Sequence, residues 1–142
     1  MVMKKTKKYG FTIVEVLVVV LLISLLAVLL VPKFIGSVPT AQRKIAKAQI
    51  ATIEQLLSGF LLSCGRYPTQ VEGLQALLTA PTGLSDKWKG PYGKESDLKD
   101  PWGNPFDYKN PGTKNPTSYD IISYGMDGKP GGDGDNADIY ND

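Results

Sequence analysis

The side chains best suited to chemistry lie near the end of the chain, in SYGMDGKPGGDGDNADIYND, residues 123–142. Asp127, Asp133, Asp135 and Asp138 are interleaved there with Gly125, Gly128, Gly131, Gly132 and Gly134. A calcium ion takes about six to eight oxygen ligands, several of them backbone carbonyls, so hard carboxylates on a backbone free to fold back on itself suit it. The spacing is not that of an EF-hand, because alanine and aspartate fill the fifth and sixth places counted from Asp133. A flexible acidic tail without metal is the alternative that composition leaves open.

A second carboxylate stands alone. Glu15 interrupts the apolar run that begins at Phe11 in KKYGFTIVEVLVVV. An ionisable group within a membrane span costs about 2.5–3.5 kcal/mol at its centre, less near an interface, and such a residue by default marks function. Other reactive groups are scarce. The chain has no histidine, which removes His-based triads and His metal sites, and its one cysteine, Cys64, has no apparent base. A lone cysteine cannot form an intrachain disulfide and reads as a small buried hydrophobe. No enzyme is expected.

The elements that must position these residues follow from periodicity. From Phe11 to Val31 Glu15 is the only charge, and the run is long enough to cross the roughly 30 Å hydrocarbon layer as a helix. Lys4, Lys5, Lys7 and Lys8 precede it and exceed the net charge of +2, leaving the remainder acidic. Basic residues just before a span keep that end in the cytoplasm, so the body is expected outside. The run ends in LVPKF with no A-x-A pattern, unlike a cleaved signal peptide.

Pro32, Gly36 and Pro39 predict a kink or melted stretch over 32–40. From Thr40 an amphipathic helix is expected, with Ile50, Ile53, Leu57, Phe60 and Cys64 on one face. Thr69 and Glu72 have capping-box spacing and predict a short helix from near Gln70 to before Pro81. Residues 81–105 read as connections anchored by Trp88, Tyr92 and Trp102. FDYKN and SYDIISYG flank the turn PGTKNPT and predict an antiparallel hairpin. The expected fold class is α+β.

The stretch KKYGFTIVEVLVVVLLISLLAVLLVP resembles a type IV prepilin leader and its helix. The resemblance implies a leader of residues 1–10, a transmembrane and filament-core helix over 11–31, and a periplasmic pilin-like domain over 32–142. It implies that a prepilin peptidase cuts after Gly10 and methylates the new amino group of Phe11, and that Glu15 pairs with that amino group on a neighbouring subunit. RYPTQVEGLQALL, KDPWGNPF and SYGMDGKPGG with ADI narrow the resemblance to the major pseudopilins of type II secretion systems. For those the implied fold is type IV pilin-like: a long N-terminal helix on a small antiparallel sheet, with a C-terminal calcium loop.

The resemblance places Ca2+ on the carboxylates of Asp127 and Asp138 and the carbonyls of Tyr124 and Lys129. Asp133 and Asp135 are further candidates, Asp135 standing in for a donor missing at Ala137. The implied function is a structural subunit of the secretion pseudopilus, a helical homo-oligomer in the bacterial inner membrane that works with minor pseudopilins and the inner-membrane secretion platform. The alternative is a type IV pilin or competence-type pseudopilin in adhesion or DNA uptake. The acidic C-terminus and lone cysteine speak against that alternative, and no nucleic-acid partner is expected.

Overall fold

The computed structural model describes residues 9–142, without the side chains of residues 30–40. The expected leader lysines, Lys4 to Lys8, lie outside the described residues. The chain divides into two compact units, Met1–Val38 and Pro39–Asp142. One helix, α1 (Ile13–Cys64), contributes to each.

In the first unit α1 starts at a capping box. The Thr12 amide donates to Glu15 Oε2 at 2.9 Å, and the Glu15 amide donates to Thr12 Oγ1 at 3.3 Å. Two amides that a helix start leaves without partners are thereby satisfied. From Phe11 to Leu29 the large apolar side chains are all exposed, on every side of the helix. The backbone is helical across Pro32, Gly36 and Pro39, so the expected melted stretch is corrected to helix. Each proline removes only one helix hydrogen bond, and the unbroken turns on either side hold the backbone helical. Among the described residues no helix is long and apolar enough to cross a membrane. The described side chains of the expected span stop at Leu29.

In the second unit α1 buries the face its period predicts. Ala46, Ile50, Ile53, Leu57, Phe60 and Cys64 are all buried. The helix stops where Gly65, at φ 79°, donates to the Leu61 carbonyl at 2.8 Å. That left-handed conformation suits glycine. The sheet is antiparallel in the order β1 (Asp107–Lys109), β2 (Asp120–Ser123), β3 (Ile139–Tyr140). Tyr108 faces Ile121 across the first pair, and Ser123 faces Ile139 across the second. All of β2 is buried, and Ile121, Tyr108 and Ile139 join the helix face in one core. The predicted hairpin is present. The third strand, β3, has no counterpart in the hairpin expected from the sequence.

Two carboxylates shape the connections. Glu72 accepts from the Thr69 amide at 2.8 Å and takes both Arg66 guanidinium nitrogens at 2.7 Å. The Arg66 hydrogen bonds hold its carboxyl down at about 2 against the opposing effect of burial, with the Thr69 amide assisting. The expected helix after this box is a 3-10 turn, Leu74–Leu77. Gly73 at φ 58° ends the first turn and prevents an α-helix from running through. Trp88, Tyr92 and Trp102 pack on the core as expected.

Asp120, fully buried on β2, organises the hairpin turn. It accepts from the amides of Thr113, Lys114 and Asn115 at 2.6, 2.8 and 3.0 Å and from Asn115 Nδ2 at 3.1 Å. Burial pushes its carboxyl up, but these donors together outweigh burial and hold it below the ordinary value.

Candidate functional site

The acidic loop is built between β2 and β3, and its approach is fixed by KDPWGNPF. Asp100 is buried and gathers the Trp102 and Asn104 amides at 3.1 and 2.9 Å and the Ser123 hydroxyl at 2.7 Å. Ser123 Oγ accepts in turn from the Gly125 amide at 3.3 Å. Asn104 Nδ2 donates to the Gly125 carbonyl at 3.2 Å. Tyr124 donates its hydroxyl to Asp107 Oδ2. Burial, and then the Asp107 carboxylate, raise the Tyr124 phenol above its ordinary pKa, so it stays a donor at neutral pH.

Inside the loop the backbone folds back on itself. The Met126 amide donates to the Asp135 carbonyl at 2.9 Å. That closure needs glycine at 125, with φ 69°, because a Cβ there would sit 2.6 Å from the same carbonyl. Asp127 Oδ1 accepts from the Lys129 amide at 3.1 Å, and the Gly131 amide donates to both Asp138 oxygens at 3.0 Å. At the far end Arg43, from α1, donates to the Ala137 carbonyl at 2.7 Å.

The candidate ligands therefore fall into two groups. Asp127 and Asp138 each turn onto amides of the loop, at the two ends of the segment. Asp133 precedes the 3-10 turn Gly134–Asn136 without capping it, and Asp135 is tied in through its carbonyl. Among the described residues no three His, Cys, Asp or Glu side chains converge as a metal cluster. A cage of four carboxylates is not assembled. Like charges repel, and Asp127 and Asp138 each accept from a backbone amide instead. Two carboxylates supplemented by backbone carbonyls fit a hard, oxygen-seeking cation in donor chemistry.

At the other end of the chain Gly10 and Phe11 precede α1 and are exposed. Among the described residues, a Cβ at Gly10 would meet nothing within 4 Å. Glu15 shares an open groove of about 370 Å³ with Phe11, Val14, Val18 and Val19. Sequence reasoning missed its intrachain partner Thr12, although T-x-x-E at 12–15 is the same signal that was read at 69–72. Asp100, Asn104 and Arg43 were missed as well. A buried Asx turn and a guanidinium reaching across about ninety residues leave no periodic trace.

The family described as "Type II secretion system (T2SS), protein G" matches residues 33–142. The chain belongs to this family. A "Prokaryotic N-terminal methylation motif" matches residues 5–31, the stretch holding Gly10, Phe11 and Glu15. The chain is 39% identical to the type II secretion system core protein G of Pseudomonas aeruginosa over 141 residues, covering 98% of each. It is 40% identical to that of Vibrio cholerae over 142 residues, covering 98% of this chain and 95% of the relative. The crystal structure of the major pseudopilin from the type 2 secretion system of enterohaemorrhagic Escherichia coli superimposes with a TM-score of 0.61 at 30% identity. That match covers 75% of this chain and 87% of the other. The protein G fold is thus α+β and type IV pilin-like, with the long helix against the three-stranded sheet.

Proposed function

We propose that this chain is the major structural subunit of a type II secretion pseudopilus, polymerising into a short periplasmic fibre that drives export of folded proteins across the outer membrane. The observation that carries the reading is the stretch from Phe11 to Leu29, whose large apolar side chains are all exposed, in a chain similar to secretion core protein G over nearly its whole length. A helix apolar all round is covered either by lipid or by other protein. One segment thus serves twice: as a single-pass inner-membrane anchor before assembly and as the filament core after it. The basic leader keeps the N-terminus cytoplasmic and leaves the C-terminal domain in the periplasm.

Processing supports the same reading. A prepilin peptidase cuts after Gly10 and methylates Phe11, and the Phe11 amino group of one subunit pairs with Glu15 of the next. The capping box shields Glu15 in the monomer until that partner arrives. Minor pseudopilins and the inner-membrane platform are the other partners. Asp127, Asp138 and the carbonyls of Tyr124 and Lys129 would hold Ca2+, with Asp133 and Asp135 as further candidate donors. Bound there, the ion would supply positive charge to offset the carboxylates of the loop.

The test is secretion together with processing. A strain lacking the chain should retain its exported enzymes in the periplasm, and the wild-type gene should restore export and fibres. Gly10→Val should leave the leader attached, as read by mass spectrometry. Among the described residues nothing crowds Gly10, and the proposed demand for glycine is placed on the peptidase. A methylated product starting at Phe11 from that variant would remove the processing argument, and export unaffected by loss of the gene would remove the function.

A further inference from the structure

The acidic loop is gripped from outside at both ends by side chains that are not candidate ligands. At its start, Asn104 Nδ2 donates to the Gly125 carbonyl at 3.2 Å, one residue beyond the Tyr124 carbonyl. The same side chain lies against Gly128, where an added Cβ would meet it at 3.1 Å. Asn104 is itself fixed, because its amide is held by buried Asp100, which also binds Ser123 of β2. At the loop's end, Arg43 Nη1 donates to the Ala137 carbonyl at 2.7 Å, one residue before Asp138. One clamp stands on the KDPWGNPF turn and the other on α1.

We infer that Asn104 and Arg43 are positioning residues for the cation: they set the separation of the two ends of the 124–138 loop, and with it the placement of Asp127 and Asp138. The inference rests on the calcium reading above. Without the clamps the glycine-rich segment must order itself against its own backbone entropy. With them, part of that ordering is complete before the ion binds. Because Arg43 belongs to α1, the grip also ties the state of the loop to the helix that enters the filament. Calcium occupancy and the setting of α1 at residue 43 are then coupled, and the coupling works in both directions.

The experiment is calcium titration calorimetry on the full-length chain in detergent, comparing wild type with Asn104→Ala, Arg43→Ala and Arg43→Lys. Loop amide exchange is measured in parallel, with and without the metal. Loss of a group that orients a ligand typically weakens metal affinity about 10- to 100-fold. Asn104→Ala and Arg43→Ala should therefore each raise Kd at least about tenfold, with one ion still bound, and should speed exchange at Gly131 in EGTA. Arg43→Lys keeps a donor and should recover part of the affinity, which separates lost positioning from a general loss of fold. Wild-type binding with unchanged Kd in both alanine variants would overturn the clamps and leave the calcium reading standing. Absence of binding by the wild type would overturn that reading and this inference with it, and unaltered Gly131 exchange in EGTA would show that the side chains do not order the loop.

Discussion

Glu15 has two claims on its carboxylate. In the single chain its Oε2 takes the Thr12 amide at 2.9 Å and the Thr12 hydroxyl at 3.2 Å. In the proposed fibre it also meets the amino group of a neighbour's Phe11. A partly satisfied carboxylate costs less to carry in an apolar helix than a bare one, so the capping box makes the unassembled state tolerable. The two roles separate by substitution. Thr12→Ala removes the box and should fray the start of α1, at a cost of about 0.5–2 kcal/mol, while Glu15 remains available to a neighbour. Glu15→Ala removes both and should leave insertion intact or improved while fibres fail. Amide exchange in micelles reads the first effect and fibre counts by electron microscopy the second. Normal fibre abundance in Glu15→Ala would make the residue a helix cap and nothing more.

At the scale of elements, a single buried carboxylate holds the β1–β2 hairpin. Asp120 satisfies three turn amides and one side-chain amide, so Asp120→Ala strands donors inside the protein. The expected loss of stability is on the order of 3 kcal/mol, since bonds to charged groups are worth about 1.5–3 kcal/mol each and orphaned buried donors add to that. The pH dependence has a definite sign. The folded carboxyl titrates below its ordinary value, so its contribution is complete above about pH 4 and is lost as the pH falls through the lower folded value. Wild type should therefore unfold more readily as the pH drops below about 4, and Asp120→Asn should flatten that dependence. Melting curves between pH 2 and 7 with equal slopes for the two proteins would contradict the assignment.

The hairpin also marks how far the sequence was legible. The buried face of α1 shows because its apolar residues recur at helical spacing, and β1 and β2 show because they flank the turn PGTKNPT. The 3-10 form of Leu74–Leu77 did not show, because it depends on the φ of Gly73. β3 did not show because two residues have no period. Asp120 and Asp100 looked like ordinary acidic residues, since their partners are backbone amides that no composition reveals. The T-x-x-E of residues 12–15 is a helix-start signal set inside an apolar run whose length also marks a membrane span.

For the whole molecule the decisive quantity is whether the acidic loop draws stability from calcium. The loop has its closing hydrogen bonds already in place, but residues 128–136 bury no side chain, so nothing apolar offsets the entropy of ordering them. A cation that binds the folded chain in preference to the unfolded one stabilises it by mass action, by about 2.7 kcal/mol at one hundred times Kd. Full-length chain in detergent should thus melt higher with Ca2+ than with EGTA. Mg2+ should substitute poorly, because it demands a smaller octahedral shell and gives up its waters reluctantly. Asp127→Ala and Asp138→Ala remove the two carboxylates that turn into the loop, and each should abolish the shift. Asp142→Ala lies beyond β3 and should leave the shift intact. Asp133→Ala and Asp135→Ala test the outer pair: because among the described residues no third carboxylate converges with another two, they should reduce the shift without abolishing it. Equal melting temperatures in calcium and EGTA, with no ion bound by calorimetry, would make the loop a stretch of turns closed by its own amides, and fibre assembly would have to draw its stability from α1 alone.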